Sequence, residues 1–213
     1  MINIAKAPKP AVLNAKEEEW KNEYLALLDG DENIPKAART RYRHVDVKST
    51  LREESHDKCI FCESKISHTF PGETDHIIPV SKMPEKIVDW SNLGYVCKEC
   101  NRKKSDYYDA ALPLINPFID EPSEYLHFLG PMVIAKTGNR RGQLTVELLE
   151  LSRVALIERK IERIDKVKAL LDRAAAFPEG EAKDFLLSQV REEAAPAKEY
   201  SATIKAYLLA AEV

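Results

Sequence analysis

Apolar residues return along the chain at periods that change from region to region. Trp20, Tyr24, Leu27 and Leu28 recur at helical spacing and predict a helix over residues 15–28, which Asp29-Gly30-Asp31 ends. The preceding residues 1–14 carry Pro8 and Pro10 with little periodicity and are expected to form an extended arm. A second helix is expected after Pro35, running toward Glu54 with Arg39, Arg41, Arg43 and His44 on it. That run reads either as a solvated basic face or as a phosphate contact, and charge runs are more often solvated.

Between Cys59 and Asp106 the pattern shifts to short strands, turns and closely spaced polar residues. Strands are expected over residues 73–78 and 93–96 and a helix over residues 98–107, a compact ββα unit. Residues 125–147 read as a hairpin, with apolar runs at 125–129 and 132–135 and turn-forming chemistry in Gly138-Asn139-Arg140-Arg141-Gly142. Leu149, Ile157, Ile161, Ile164, Val167 and Leu171 then predict one long helix over residues 145–175. Pro178-Glu179-Gly180 breaks it, and helical stretches over 181–193 and 197–211 follow around Pro196. The fold class expected is α+β, with an N-terminal helical arm (1–56), a small metal-braced ββα core (57–112) and a hairpin plus helical region (113–213).

Composition narrows this picture. With 213 residues, 44% of them hydrophobic and 31% charged, the chain can bury a core. A net charge of −3 argues against a protein that coats nucleic acid nonspecifically, so any polyanion contact must be local. Neither a secretory signal nor an apolar run of membrane-spanning length is evident, and a cytoplasmic location is expected.

All four cysteines fall in two CxxC knuckles, Cys59-Ile60-Phe61-Cys62 and Cys97-Lys98-Glu99-Cys100, with 34 residues between them. Two such knuckles complete the tetrahedral sulfur shell that zinc prefers, and four thiolates leave no open position for a substrate. The expected ion is therefore structural, and chemistry must lie elsewhere. The knuckles bracket Asp75-His76 and Asn92, and the second runs directly into Asn101-Arg102-Lys103-Lys104. Asp75 and the side-chain oxygen of Asn101 suit a hard cation such as Mg²⁺. Strand alternation turns His76 away from that ion and frees it to act as a base. Arg102, Lys103 and Lys104 are expected near the helix start, where they could meet phosphate, Lys104 first among them.

As an ordered set, Cys59-x-x-Cys62, Asp75-His76-Ile77-Ile78-Pro79, Asn92-Leu93 and Cys97-x-x-Cys100-Asn101-x-x-Lys104 resembles the zinc-braced HNH, or ββα-metal, endonucleases. The resemblance implies that His76 activates water, that Asp75 and Asn101 hold a catalytic Mg²⁺ or Mn²⁺, and that Asn92 ties down the loop between the strands. It implies DNA as substrate, 5′-phosphate and 3′-hydroxyl products, and a phosphate contact from Lys104, which sits at the family's lysine position; Arg102, beside Asn101, is expected to join it by position. The third letter of the family name is Asn101 here rather than His, a variation that bears on metal preference. Downstream, Asn116-Pro117-Phe118-Ile119-Asp120, Leu126-His127-Phe128, Arg141-Gly142 and Leu148-Leu149-Glu150-Leu151-Ser152-Arg153 are similar to HNH proteins of anti-phage systems, the nuclease subunit of Septu systems and the HNH protein of some retrons. That likeness implies an ABC or SMC-like ATPase as a partner.

His44, His56, His68 and His127 stand in no ligand-spaced pair with an acid and read as surface or hydrogen-bonded histidines, although His68 could approach a scissile phosphate. Trp20 and Trp90 read as core aromatics, and Tyr107 and Tyr108 as packing or backbone contacts. The reading is a metal-dependent HNH endonuclease. Its rival is a non-catalytic zinc-ribbon module that binds nucleic acid or serves assembly, which would need the cysteines but not Asp75, His76 and Asn101.

Overall fold

The computed structural model describes residues 1–30, 33–66 and 71–213. His68 lies outside the described residues. The architecture is α+β: two two-stranded antiparallel sheets set among eight α-helices of the described residues.

Helix α1 (Ala11–Asp29) begins directly after Pro10, four residues earlier than the periodicity predicts. A proline fixes φ and costs nothing just before a helix, and Pro10 O accepts from the N–H groups of Leu13 and Asn14. The ten residues before it are extended but bound. Ile4 N donates to Pro117 O at 2.8 Å, and Lys6 Nζ donates to Glu54 Oε1 at 2.8 Å and to Leu93 O at 2.7 Å. Trp90 Nε1 donates to Ala7 O, which places Trp90 in the core as expected.

The expected second helix is in fact α2 (Lys36–Thr40), a 3₁₀ turn (Arg41–Arg43) and α3 (Val45–Glu54). His44 makes the break: its backbone is extended, and its Nδ1 accepts from Asp46 N at 3.3 Å, capping α3. Leu51 and Val47 of α3 are fully buried under the ββα unit.

That unit consists of β1 (Glu73–His76), β2 (Leu93–Val96) and α4 (Lys98–Lys104). In the register, Asp75 faces Gly94 and His76 faces Leu93. β1 is two residues shorter than expected because Ile77 and Ile78 bond to Asn92 instead of extending the ladder. α4 stops at Ser105, whose φ is +49°, three residues before the expected end. Arg102, Lys103 and Lys104 therefore occupy the last turn of α4, not its start, so the positive end of the helix dipole does not assist them.

The hairpin β3 (Leu126–Leu129) and β4 (Met132–Ala135) forms where expected. The segment after it differs. Asn139 caps α5 (Arg140–Leu148) by accepting from Gly142 N at 2.8 Å, so Arg140, Arg141 and Gly142 begin a helix rather than a turn. The long helix is likewise two, because Glu150 takes φ +45° and α6 (Val154–Ala175) starts only after Arg153. Ser152 Oγ donates to Val133 O and accepts from Val133 N, which holds this break against β4. α6 buries Leu156, Lys160, Val167 and Ala174, whereas Ile161, expected on the inner face, is exposed. α7 (Glu181–Glu192) and α8 (Ser201–Ala210) close the chain. They form a small second apolar cluster of Val167, Val190, Ile204 and Leu208 beside the main core.

Candidate active site

The four cysteine sulfurs converge. All Sγ atoms lie within 4.8 Å of one another, and Cys62 Sγ and Cys97 Sγ are 3.8 Å apart. Zinc–sulfur bonds of about 2.3 Å in a tetrahedron place sulfurs about 3.8 Å apart, so the donor set fits a structural zinc ion. The first knuckle is pinned to the sheet by Ile60 N donating to Tyr95 O at 3.1 Å, and the second begins α4, with Cys97 Sγ accepting from Cys100 N. Burial pushes the Cys59 thiol up, whereas bonding to Cys100 pulls Cys62 and Cys97 down, so the sulfurs do not ionise together unless a cation joins them.

Groups outside the knuckles complete this centre. Arg153 Nη2 reaches to 3.9 Å from Cys100 Sγ. Although burial opposes it, the facing sulfurs hold the Arg153 guanidinium charged above its ordinary value. Ser64 Oγ lies 3.4 Å from Cys62 Sγ and 2.9 Å from the Tyr200 hydroxyl, which links the knuckle to the start of α8. The cysteine spacing does not point to Arg153, Ser64 or Tyr200.

The second knuckle starts α4, which packs on β1, and the two elements meet by their natural periods. Glu73 and Asp75, two apart on a strand, share one face; Asn101 and Lys104, three apart on a helix, share another. Asn101 Nδ2 donates to Glu73 Oε2 at 2.6 Å, and Lys104 Nζ lies 3.2 Å from Asp75 Oδ2. Lys104 is 1% exposed, and Asp75 Oδ2 is buried with no hydrogen bond, the Lys104 ammonium being its ion-pair partner. Burial raises the Asp75 carboxyl above its usual range, and Lys104 opposes the shift. A carboxylate oxygen buried in this way, with the Glu73 carboxylate on the same strand face, fits a hard oxygen-seeking cation. Glu73 is a candidate the sequence reading passed over; its place two residues before Asp75 on the same strand is the signal that identifies it.

His76 alternates to the opposite face, is 6% exposed, and packs its ring on Tyr42 with centroids 4.4 Å apart. Its Nε2 is 2.8 Å from Ile87 O. Burial lowers its pKa from 6.5 to about 4; the Ile87 carbonyl opposes this, and Lys104 and Arg43 add to it. The ring is neutral near pH 7, and donation of Nε2–H to Ile87 leaves Nδ1 with its lone pair. Asn92 fixes the intervening loop: its Oδ1 accepts from Ile78 N at 2.8 Å, and its Nδ2 donates to Ile78 O at 3.0 Å and to Lys86 O at 3.4 Å, one residue before Ile87.

Although they alternate, Asp75, His76 and Lys104 line one cleft of about 360 Å³, with Arg39, Tyr42 and Arg43 on its other wall. Asn101 does not line that cleft and lies beyond it with Glu73. Arg102 points to solvent and pairs with Glu99 of its own helix at 2.6 Å.

A family model described as HNH endonuclease matches residues 59–107, the span from the first knuckle through α4. The chain is 31% identical over 176 residues to the Septu protein PtuB of Bacillus thuringiensis, covering 76% of this chain and 68% of that protein. The chain belongs to the Septu PtuB family. A second PtuB, from Bacillus mycoides (strain KBAB4), is 27% identical over 197 residues, covering 75% of this chain and 66% of that protein. The match to the PtuB relatives spans about two thirds of their length and runs well past the HNH segment. The structure gives that further segment physical work. Asp120 receives Arg141 Nη2 at 2.6 Å and Asn116 N at 2.7 Å, Arg141 also bonds Pro113 O and Leu114 O, and Arg153 closes on the cysteines.

Proposed function

We propose that this PtuB-family chain is a divalent-metal-dependent HNH endonuclease that hydrolyses phosphodiester bonds of DNA as the nuclease effector of a prokaryotic anti-phage system. The observation that carries the reading is one cleft lined by both a neutral, carbonyl-anchored His76 and a buried Asp75 carboxylate oxygen without a hydrogen bond. A module that only bound nucleic acid would need neither.

In this reading His76 Nδ1 takes a proton from water, and the hydroxide attacks phosphorus as the P–O3′ bond breaks, which leaves 5′-phosphate and 3′-hydroxyl ends. Ile87 O holds the imidazole in the tautomer that leaves Nδ1 free, and Asn92 holds Ile87 by fixing the loop before it. Asp75 and Asn101, with Glu73 behind Asn101, would hold Mg²⁺ or Mn²⁺, which supplies charge stabilisation at the leaving oxygen and the nonbridging oxygens. Lys104 adds a buried positive charge to the cleft floor, and Arg102 can turn to phosphate by exchanging its exposed partner Glu99, a pairing of little strength.

The chain acts beside an ABC or SMC-like ATPase in the cytoplasm; among the described residues no helix is long and apolar enough to cross a membrane. The test is nicking and linearisation of supercoiled plasmid with Mg²⁺ or Mn²⁺, with and without an added ABC or SMC-like ATPase. Wild-type protein, alone or with that partner, is expected to cut and His76→Ala to lose at least 100-fold in rate. Plasmid binding without cleavage under every condition would favour the zinc-ribbon reading.

A further inference from the structure

Three basic residues of α4 already have acidic partners. Lys104 pairs with Asp75, Arg102 with Glu99, and Lys103 with Glu150 at 2.5 Å. Yet a cleft that accepts a DNA strand must neutralise phosphates on both sides of the bond it cuts. The opposite wall of the cleft comes from the N-terminal helices, at the end of α2 and in the 3₁₀ turn that follows.

There the three arginines divide by spacing. Arg41 does not line the cleft: it is half-buried, with its guanidinium on Glu23 and 5.6 Å from the Trp20 ring centroid. Arg39 and Arg43, four residues apart, both line the cleft with Asp75 and His76. Each is exposed, and neither has a carboxylate partner among the described residues. Arg39 Nε donates to Ile34 O at 2.9 Å. Arg43 Nε donates to the Tyr42 hydroxyl at 3.0 Å while the guanidinium stacks 5.2 Å over the Tyr42 ring. In both cases one N–H aims the group and the Nη atoms remain available, a fork that matches phosphate oxygens. Tyr42 in turn packs on His76, so the base and Arg43 both rest on one aromatic residue.

We propose that Arg39 and Arg43 form a phosphate clamp that grips the DNA backbone across the cleft from Asp75 and His76. This rests on the reading of that cleft as the site that receives DNA. Arg41 takes neither role of the basic run, since it is held by Glu23 and Trp20. With Lys103 and Lys104 held by acids and Arg102 on the far end of α4, the helical arm adds the grip on the cleft's other wall, which makes the arm part of the active site.

The test is fluorescence anisotropy of a labelled DNA duplex over a series of salt concentrations, in the His76→Ala background so that bound duplex stays intact. The double variant Arg39→Ala/Arg43→Ala is expected to bind about 10- to 100-fold more weakly, with the slope of log K against log salt shallower by about 2, since each phosphate contact contributes about 0.9. Arg39→Lys/Arg43→Lys should restore most of the slope, which separates lost contacts from a misfolded arm. Arg173→Ala/Arg191→Ala, on α6 and α7, removes the same charge elsewhere and should leave the slope unchanged. Unchanged binding by Arg39→Ala/Arg43→Ala, or an equal loss in the α6 and α7 variant, overturns the clamp and leaves the nuclease reading intact if plasmid is still cut. A parent that binds no duplex overturns both.

Discussion

Arg153, 53 residues beyond Cys100 in sequence, directs its Nη2 to within 3.9 Å of the Cys100 sulfur. A zinc ion bound by four thiolates leaves a net negative charge, and this guanidinium is placed to offset it in a buried setting. Arg153→Met should therefore loosen zinc about 10- to 100-fold while leaving the chain folded at saturating zinc. Competition with a chromophoric chelator measures this, and Arg159→Met, an exposed arginine on α6, should give the wild-type curve.

Lys104 and Asp75 form a buried pair in which the lysine is the carboxylate's only close cation among the described residues. Lys104→Met should cost roughly 3 kcal/mol, because it strands a buried charge. If a divalent cation takes the lysine's place beside Asp75, excess Mg²⁺ should return part of that loss and should do nothing for Lys104→Met/Asp75→Asn. Urea unfolding of the three proteins with and without Mg²⁺ reads the difference.

How much of this was legible in the sequence divides along physical lines. The cysteine spacing, the strands carrying Asp75-His76 and Leu93–Val96, and the hairpin were readable because each rests on short-range pattern: ligand number, alternation, turn chemistry. The helix breaks at His44 and at residues 149–153 were not, since apolar periodicity runs through both. What interrupts it is a histidine cap in one case and a clasp between Ser152 and Val133 in the other. The placement of Arg39 and Arg43 on the cleft was hidden for a related reason. Only the tertiary fold decides which side of a basic run faces the cleft, and Glu73 emerged only when α4 was laid on β1.

His76 links stability to pH. Its pKa is about 4 in the folded chain against about 6.5 unfolded, so between those values the unfolded chain binds more protons and stability rises with pH. The contribution is complete above pH 6.5 and falls by about 3 kcal/mol on acidification to pH 4, with no further loss below. The facing groups are Tyr42, Arg43, Ile87 O and Lys104, so the measurement belongs in Mg²⁺-free buffer. The difference in unfolding free energy between wild type and His76→Gln, followed from pH 7 to pH 4.5, should shrink along that slope.

Gly142 sits where α5 passes the hairpin, and a Cβ built there would lie 2.5 Å from the Tyr125 carbonyl oxygen. Because the obstacle is backbone, Gly142→Ala should destabilise by about 1–3 kcal/mol and lower the thermal midpoint, while Gly138→Ala meets no neighbour and suffers only from its positive φ.

The central claim is a division of labour: one cation shapes the fold through four sulfurs, and the Asp75–His76 cleft performs hydrolysis apart from it. Zinc content and plasmid cleavage, measured on the same preparation of Asp75→Asn, address it most directly. The expected result is one zinc per chain with cleavage lost. Cleavage at the wild-type rate, or loss of zinc from the folded variant, would contradict it.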